Sequence, residues 1–252
     1  MIPWEKLDED KAPDGKPLVL RRRGDEFLIT ADGYDLMSSE DEGSSRALAT
    51  LGCAHLPARR PGRVLVGGLG MGYTLRAALD ATGPRVQVEV AELVPAVVRW
   101  NEGPLAALAG APLKDPRSEL ILGDVRKRIR AAGETGATRY DAILLDVDNG
   151  PESLAHRQNN ALYGDTGVSE AWAALSPGGI FGVWSFGDDR RFTTRLQKQG
   201  FQVDVQRVDG SRRGRGRFHW IWIAQRPAQT NKRPHKERPH GRRDRKKIPR
   251  SR

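Results

Sequence analysis

The sequence predicts an α/β fold with a seven-stranded, mostly parallel sheet whose last strand is reversed, preceded by a small N-terminal β-hairpin region. Three observations support this prediction. An apolar run at residues 64–66 ends in a glycine-rich loop and passes into helical spacing. From Arg63 onward, short apolar runs alternate with helical patterns, as in sheets covered on both faces. The last run, residues 218–224, follows a link too short for a crossover helix, which indicates an antiparallel neighbour.

Composition and pattern divide the chain into four segments. Residues 1–17 are an irregular lead-in, and residues 18–51 are a small N-terminal β region with a helix. Residues 52–225 are a Rossmann-like nucleoside-binding catalytic domain, and residues 226–252 are a basic tail. The lead-in is polar and contains three prolines. In the β region, Gly24-Asp25 is a two-residue turn between apolar runs, which is typical of a hairpin. A helix is expected at residues 44–51, because serines and acids that suit a helix start precede it.

The alternating pattern predicts individual elements in the main domain. Strands are expected at residues 63–67, 86–91, 119–122, 141–146, 179–184, 201–207 and 218–224. Helices are expected at residues 73–81, 94–101, 125–132, 167–175 and 189–199. Seven strands with the last one reversed are the pattern of the Rossmann-like class I methyltransferase fold.

The net charge of +10 lies entirely in the tail. Residues 226–252 hold twelve Lys or Arg residues against Glu237 and Asp244, so the rest of the chain is neutral. The tail has almost no apolar residues to bury and is therefore expected to be disordered. Weak, salt-dependent contact with nucleic acid or anionic surfaces is one interpretation. A solvated tail without a dedicated partner is the other.

The glycine loop predicts a nucleoside-binding site. Gly68, Gly70 and Gly72 stand between a strand and a helix, where glycine lets the backbone approach a ligand closely. Glu92 ends the second strand about twenty residues later and can accept hydrogen bonds from ribose hydroxyls. The Gly-x-Gly-x-Gly spacing favours an adenosylmethionine-type ligand over a dinucleotide, and a P-loop is disfavoured because no Gly-Lys-Ser/Thr follows. A merely structural glycine turn is the alternative.

Acids end the third and fourth strands as well. Asp124 follows Gly123 and is expected to contact an adenine amino group, to cap the next helix, or both. Asp146 and Asp148 end the fourth strand, where ligands of open α/β sheets bind. Such a pair can attract an ammonium and then accept its proton, so both are candidate catalytic residues. Turn formation is the alternative for Asp148.

Further side chains have weaker assignments. His156 and Tyr163 follow the fourth strand, where a wall of the acceptor pocket or simple packing is expected, and Trp184-Ser185 ends the fifth strand with the same two interpretations. The single Cys53 excludes an internal disulfide and is expected to be a buried thiol. No His, Cys or acid cluster has metal-ligand spacing, so no metal is expected. Without a long apolar run or an N-terminal signal, a soluble, cytoplasmic protein is expected.

Residues 18–224 resemble the spermidine synthase family. The resemblance rests on five stretches: residues 23–39, the glycine loop at 67–72, Val90-Ala91-Glu92-Leu93, Gly123-Asp124 and residues 140–146. It implies a small β-domain before the Rossmann-like domain, decarboxylated adenosylmethionine as co-substrate without a tightly bound cofactor, and a homodimer. By this resemblance, Glu92 holds the ribose, Asp124 the adenine, and Asp146 is the general base for the attacking amine.

The sequence departs from that family where an amine would bind. The family's glycine loop carries an Asp for the aminopropyl end, whereas Leu69-Gly70-Met71 has no acid. Ser45-Arg46-Ala47 replaces an expected acid-containing group after Asp41-Glu42, and the acidic motif at residues 146–151 has altered spacing.

Three functions follow. The first is aminopropyl transfer to a small amine, and the second is methyl transfer from intact adenosylmethionine on the same scaffold. The third is non-catalytic nucleoside binding by a protein that acts through its basic tail. The acid pair favours an enzyme, because a binding module has no need of two carboxylates beside a sulfonium.

Overall fold

The computed structural model describes residues 2–12, 15–56, 60–147, 160–211 and 217–228, and its strands form two sheets. The first sheet is an antiparallel meander in chain order, made of β1 (Glu5–Lys11), β2 (Pro17–Arg23), β3 (Glu26–Ala31) and β4 (Tyr34–Ser38). Helix α1 (Glu42–Cys53) connects it to the second sheet.

The second sheet has seven strands in the order β10-β11-β9-β8-β5-β6-β7. These strands are β5 (Gly62–Gly67), β6 (Val86–Glu92), β7 (Ser118–Leu122), β8 (Tyr140–Leu145), β9 (Leu175–Ser185), β10 (Gln202–Asp209) and β11 (Phe218–Gln225). The helices are α2 (Tyr73–Ala81), α3 (Pro95–Glu102), α4 (Val125–Gly133), α5 (Asn160–Tyr163), α6 (Asp165–Ala174) and α7 (Arg190–Gln199), with a 3-10 turn at Pro112–Lys114.

Strand directions confirm the predicted fold class. β5 pairs in parallel with β6 and β8, and the parallel pairing continues to β7 on one side and β9 on the other. β11 lies antiparallel between β9 and β10, as the short link before it indicated. All parallel strands therefore end at one edge, which brings the acids after β6, β7 and β8 to the same side of the sheet.

The core lies on both faces of this sheet. Val64 and Val66 point to the face covered by α1, α2 and α3, whereas Leu65 points to the face covered by α4, α6 and α7. Alternation along a strand sends neighbouring side chains to opposite faces, so a strand buried on both faces is apolar throughout. This explains why β5 and β8 were identified from apolar runs alone.

The strand β1 is the main departure from the prediction. Six of its seven residues are charged, so neither apolar alternation nor β-propensity indicates a strand. Pairing with β2 and contacts with α3 hold it instead: Trp100 Nε1 donates to Asp8 Oδ2 over 2.7 Å, and Arg99 pairs with Asp10 over 2.8 Å. The irregular lead-in predicted for residues 1–17 is therefore wrong over Glu5–Lys11.

Smaller differences concern element ends. β9 begins at Leu175 rather than at residue 179, because its pairing with β8 is irregular there and accommodates a Pro-Gly-Gly sequence typical of a turn. Arg226, assigned to the tail from sequence, contacts the folded body: its guanidinium donates to the carbonyls of Trp172 and Leu175. The tail beyond residue 228, including its expected disorder, lies outside the described residues.

Candidate functional site

The glycine loop after β5 lies against the end of β8. Gly68 has φ +87°, and a Cβ at this position would overlap with the carbonyl oxygen of Asp146, so the close approach requires glycine. Gly72 (φ +84°) is the N-cap of α2, and Gly70 has φ +52°. Asn101 Nδ2 donates to the Gly70 carbonyl over 2.7 Å and fixes the middle of the loop.

Glu92 is buried beneath this loop. Its Oε2 accepts from the Leu69 amide over 2.9 Å, and its Oε1 accepts from the Val94 amide over 2.8 Å. Burial raises the pKa of Glu92, and these amides partly counteract that shift. The carboxylate thus ties the loop to the end of β6. Its predicted contact with ribose stays a prediction.

Asp124 caps helix α4. Its Oδ1 accepts from the Arg126 amide over 2.8 Å, which is the capping arrangement considered from sequence. The Gly123 amide donates to the Glu92 carbonyl over 2.8 Å, so Asp124 follows directly beside the end of β6. Its predicted contact with adenine stays a prediction.

Asp146 lies at the centre of the site. Its amide donates to the Gly67 carbonyl over 2.9 Å, and its Oδ2 accepts from Thr74 Oγ1 at the start of α2. Burial raises the pKa of this carboxyl, while hydrogen bonds from Thr74 and Ser45 lower it. A carboxylate with a raised pKa is a stronger base near neutral pH.

The other acceptor-side predictions have different outcomes. Asp148 and His156 lie outside the described residues. Tyr163 is buried, stacks edge-on against Phe192 and lies with its hydroxyl 3.4 Å from the Val147 carbonyl, so it packs in the core. Trp184 is both buried and part of the cleft wall, and Ser185 is buried behind it.

A cleft of about 1030 Å³ opens beside Asp146. Its walls come from β2, β3 and β4 of the N-terminal sheet, from the start of α1, from the glycine loop, and from the ends of β9 and β11. The lining includes the acids Glu26, Asp35, Glu40, Asp41 and Asp146. It also includes the arginines Arg21, Arg23 and Arg217. Glu92 and Asp124, the candidate nucleoside-binding acids, do not line this cleft. The glycine loop lies between the two, because it lines the cleft and its Leu69 amide contacts Glu92.

Two ring residues of the cleft were missed from sequence. Phe186 follows β9, and His219 is buried on β11 with no hydrogen-bond partner for Nδ1 among the described residues. Phe186 was not identified because the candidate residues of this strand end were limited to Trp184 and Ser185. His219 was hidden in an apolar strand, although a lone polar residue there is a signal that could have drawn attention.

The described residues offer little for metal or thiol chemistry. Among the described residues, no group of three or more His, Cys, Asp or Glu side chains could hold a metal ion. Burial raises the pKa of the Cys53 thiol to about 12, as expected for an unreactive buried thiol. No helix in the described ranges is long and apolar enough to cross a membrane.

Comparison with known proteins gives one consistent family name. No family model matches the chain. A polyamine aminopropyltransferase of Korarchaeum cryptofilum is 34% identical over 92 residues, which are 36% of this chain and 27% of that protein. A second, from Aeropyrum pernix, is 26% identical over 170 residues, 65% of this chain and 49% of that protein. The chain therefore spans less than half of the length of either curated relative.

Solved structures agree on the fold. The crystal structure of spermidine synthase from Thermotoga maritima matches with a TM-score of 0.67 at 18% identity, and the match covers 88% of this chain and 72% of that chain. The sequence resemblance predicted a fold of this kind. Part of the sequence is thus similar to polyamine aminopropyltransferases, and the fold of the chain is similar to that of spermidine synthase.

Proposed function

We propose that this chain is a transferase that moves an aminopropyl group from decarboxylated adenosylmethionine to a small amine. The name polyamine aminopropyltransferase, carried by both curated relatives, supports this reaction class. The chain covers only part of the length of those relatives. We therefore argue the proposed activity from the geometry of the site rather than from the relatives' names.

One observation carries the proposal. The carboxylate of Asp146 lines a large cleft and is held beside the glycine loop by its own amide and by Thr74. A base in contact with the loop that receives the sulfonium end of a nucleoside is suited to activate an amine for attack there.

The donor half of the site has polar and apolar parts. Glu92 and Asp124 bring carboxylates to neighbouring strand ends, where ribose and adenine would bind. Beside them, Leu93 is 50% exposed and Leu122 is 58% exposed, and Leu122 pairs with Glu92 across the two strands. Exposed leucines at this edge offer an apolar surface for the adenine ring.

The chemistry needs a proton acceptor and correct positioning. Asp146 takes a proton from the acceptor ammonium, which frees the nitrogen lone pair. The lone pair then forms a bond to the carbon beside the sulfonium, and the carbon–sulfur bond breaks with its electrons moving to sulfur. Asp148 follows two residues later and is proposed as the second acid of this pair. The protein thus contributes a base and orientation.

Methyl transfer from intact adenosylmethionine is the second candidate. One observation favours it: the loop has Leu69 and Met71 where an acid would be needed, so it offers the donor no side-chain carboxylate for a propyl ammonium. A decarboxylated donor would have to place its ammonium against acids elsewhere in the cleft, such as Glu40.

A thermal-shift titration with both donors separates these candidates. A ligand at a hundred times its Kd raises the free energy of unfolding by about 2.7 kcal/mol, which is readily measured. Stronger stabilisation by the decarboxylated donor supports aminopropyl transfer, and stronger stabilisation by the intact donor supports methyl transfer. No response to either donor would contradict both and leave the glycine loop as structure.

The proposal also covers the domain organisation, the oligomeric state, the location and the basic tail of the protein. We propose a small N-terminal β-domain that includes β1, a Rossmann-like catalytic domain and a basic tail that follows Arg226, together with a homodimer as the resemblance implies and action in the cytoplasm. The twelve basic residues of the tail support weak binding of nucleic acid or anionic surfaces, independent of catalysis.

A further inference from the structure

Three aromatic rings form a corner on the β9 and β11 side of the cleft. Trp184 and Phe186 have ring centroids 4.7 Å apart at 72°, and His219 lies 4.8 Å from Trp184 and 5.3 Å from Phe186. All three line the cleft that contains Asp146. We call these residues the aromatic corner.

The corner exposes ring surface chiefly through Phe186. This side chain is 42% exposed although a large apolar side chain gains free energy by burial. Trp184 is 9% exposed and His219 is 3% exposed, and Trp184 Nε1 and His219 Nδ1 are both buried without a partner among the described residues. A ligand in this corner therefore meets the ring of Phe186, with the rings of Trp184 and His219 packed against it.

Charge at the corner favours a cation. Asp41 lines the cleft and interacts electrostatically with His219 and with Arg217. Asp209 also interacts electrostatically with His219. The charged groups around this ring are therefore two carboxylates, Asp41 and Asp209, and one guanidinium, Arg217. Burial lowers the pKa of His219, and the ring is neutral near pH 7. Non-coplanar rings beside excess negative charge form the arrangement that binds organic cations through cation–π contacts.

The corner discriminates between kinds of ammonium. A primary ammonium has three N–H donors that each need an acceptor, and aromatic faces satisfy them poorly. A quaternary trimethylammonium spreads its charge over methyl groups that pack against rings, and it has no N–H donor that needs an acceptor. We infer that Trp184, Phe186 and His219, with Asp41, bind the far end of the amine acceptor, and that this end is a quaternary N-methylated ammonium. The inference rests on the proposed function for the reacting end.

Binding of three related amines tests the inference. The probes are 4-aminobutyl-trimethylammonium, 1,4-diaminobutane and 5,5-dimethylhexylamine, each titrated calorimetrically into the full chain. The last compound is the neutral isostere, in which an uncharged tert-butyl group replaces the trimethylammonium end. We expect the trimethylammonium compound to bind at least about tenfold more tightly than either of the others. Equal binding of the neutral isostere, tighter binding of the diamine, or no binding of any probe would overturn the inference.

Ring variants locate the effect. Phe186→Leu keeps apolar contact but removes the ring, and should weaken binding of the trimethylammonium compound by about fivefold while sparing the neutral isostere. Phe218→Leu is the matched control, because Phe218 is 48% exposed, lies next to His219 and does not line the cleft. Unchanged affinity in Phe186→Leu with an unchanged Tm would also overturn the inference.

A parallel titration with decarboxylated adenosylmethionine keeps the two proposals separate. If the donor binds but the ring variant has no effect, the aromatic corner fails alone. If the trimethylammonium compound binds in a Phe186-dependent way and neither sulfonium donor binds, the proposed function fails while the corner stands.

Discussion

Trp100 on α3 donates a hydrogen bond from its indole nitrogen to Asp8 on β1, and this 2.7 Å contact fastens the first strand to the Rossmann-like domain. Trp100 itself is among the largest fully buried side chains. A buried indole N–H needs an acceptor, and here a charged strand provides it. The relationship explains why a segment with six charged residues in seven is ordered.

Replacing Asp8 should therefore destabilise the protein. Asp8→Ala removes the acceptor of a buried N–H, and a loss of about 1–3 kcal/mol in the free energy of unfolding is expected. Urea denaturation measures it. Glu9→Ala is the control, because Glu9 forms only a surface pair with Lys6 and should change stability by less than about 1 kcal/mol. Equal effects of the two substitutions would show that the indole contact contributes nothing.

A second prediction concerns the buried ion network around Glu89. Burial raises the pKa of Glu89, but hydrogen bonds from Tyr140, Arg128 and Arg63 outweigh it and hold the pKa below its ordinary value. Glu89→Gln should cost about 1–3 kcal/mol of stability, because the buried side chain loses charge-assisted hydrogen bonds from Arg63 and Arg128, whose guanidinium groups are partly exposed to water. Glu119→Gln is the control, since Glu119 lies opposite on β7 and is exposed.

The same network gives a pH dependence. Because the folded-state pKa of Glu89 is lowered, its stabilisation is complete above the ordinary pKa of a glutamate and is lost as pH falls through the lowered folded value. Acid unfolding of the wild type should therefore be steeper than that of Glu89→Gln. Parallel stability curves for the two proteins between pH 3 and about 6 would contradict this.

Asp146→Asn should abolish turnover while changing donor affinity by no more than a few-fold. The amide keeps the shape of the side chain and a contact with Thr74, but it cannot accept a proton from the amine. Donor Kd and single-turnover rates measure the two effects. Asp204→Asn, an exposed substitution on β10, should retain full activity. Undiminished turnover in Asp146→Asn would remove the base assignment.

Glu92→Ala should weaken donor binding by more than about tenfold, or roughly 1.4 kcal/mol. The substitution removes the proposed ribose acceptor and also the carboxylate that holds the amides of Leu69 and Val94. Glu92→Gln separates these effects, because its amide oxygen still accepts one of the two amides. If both variants bind the donor as the wild type does, Glu92 has no part in the donor site.

Removal of the tail should leave the folded protein intact if the cut respects Arg226. Deletion of residues 229–252 is expected to change neither Tm nor turnover, because this segment is highly basic and nearly devoid of apolar residues. Arg226→Ala should lower Tm, since Arg226 donates to the carbonyls of Trp172 and Leu175. A large loss of activity in the deletion variant would place the tail in the site.

Much of the fold follows from local pattern. β5 and β8 contain short apolar runs, β6 alternates valines with polar residues, and the glycine loop marks where the first parallel strand ends, so the seven strands, the reversed last strand and the acid-bearing edge could be anticipated. β1 could not, because its order depends on β2 and on Trp100, which lies 92 residues away in the chain. Local patterns report only on neighbours within a few residues.

The sequence by itself determined the fold class, the loop of Gly68, Gly70 and Gly72, and the acids Glu92, Asp124 and Asp146 at one edge of the sheet. These features have periodic or motif signals within short stretches. Only the tertiary structure decided that Glu92 holds the loop, and that Trp184, Phe186 and His219 meet at one corner of the cleft. Such contacts join distant segments, and no local preference records which side chains the packed chain brings together.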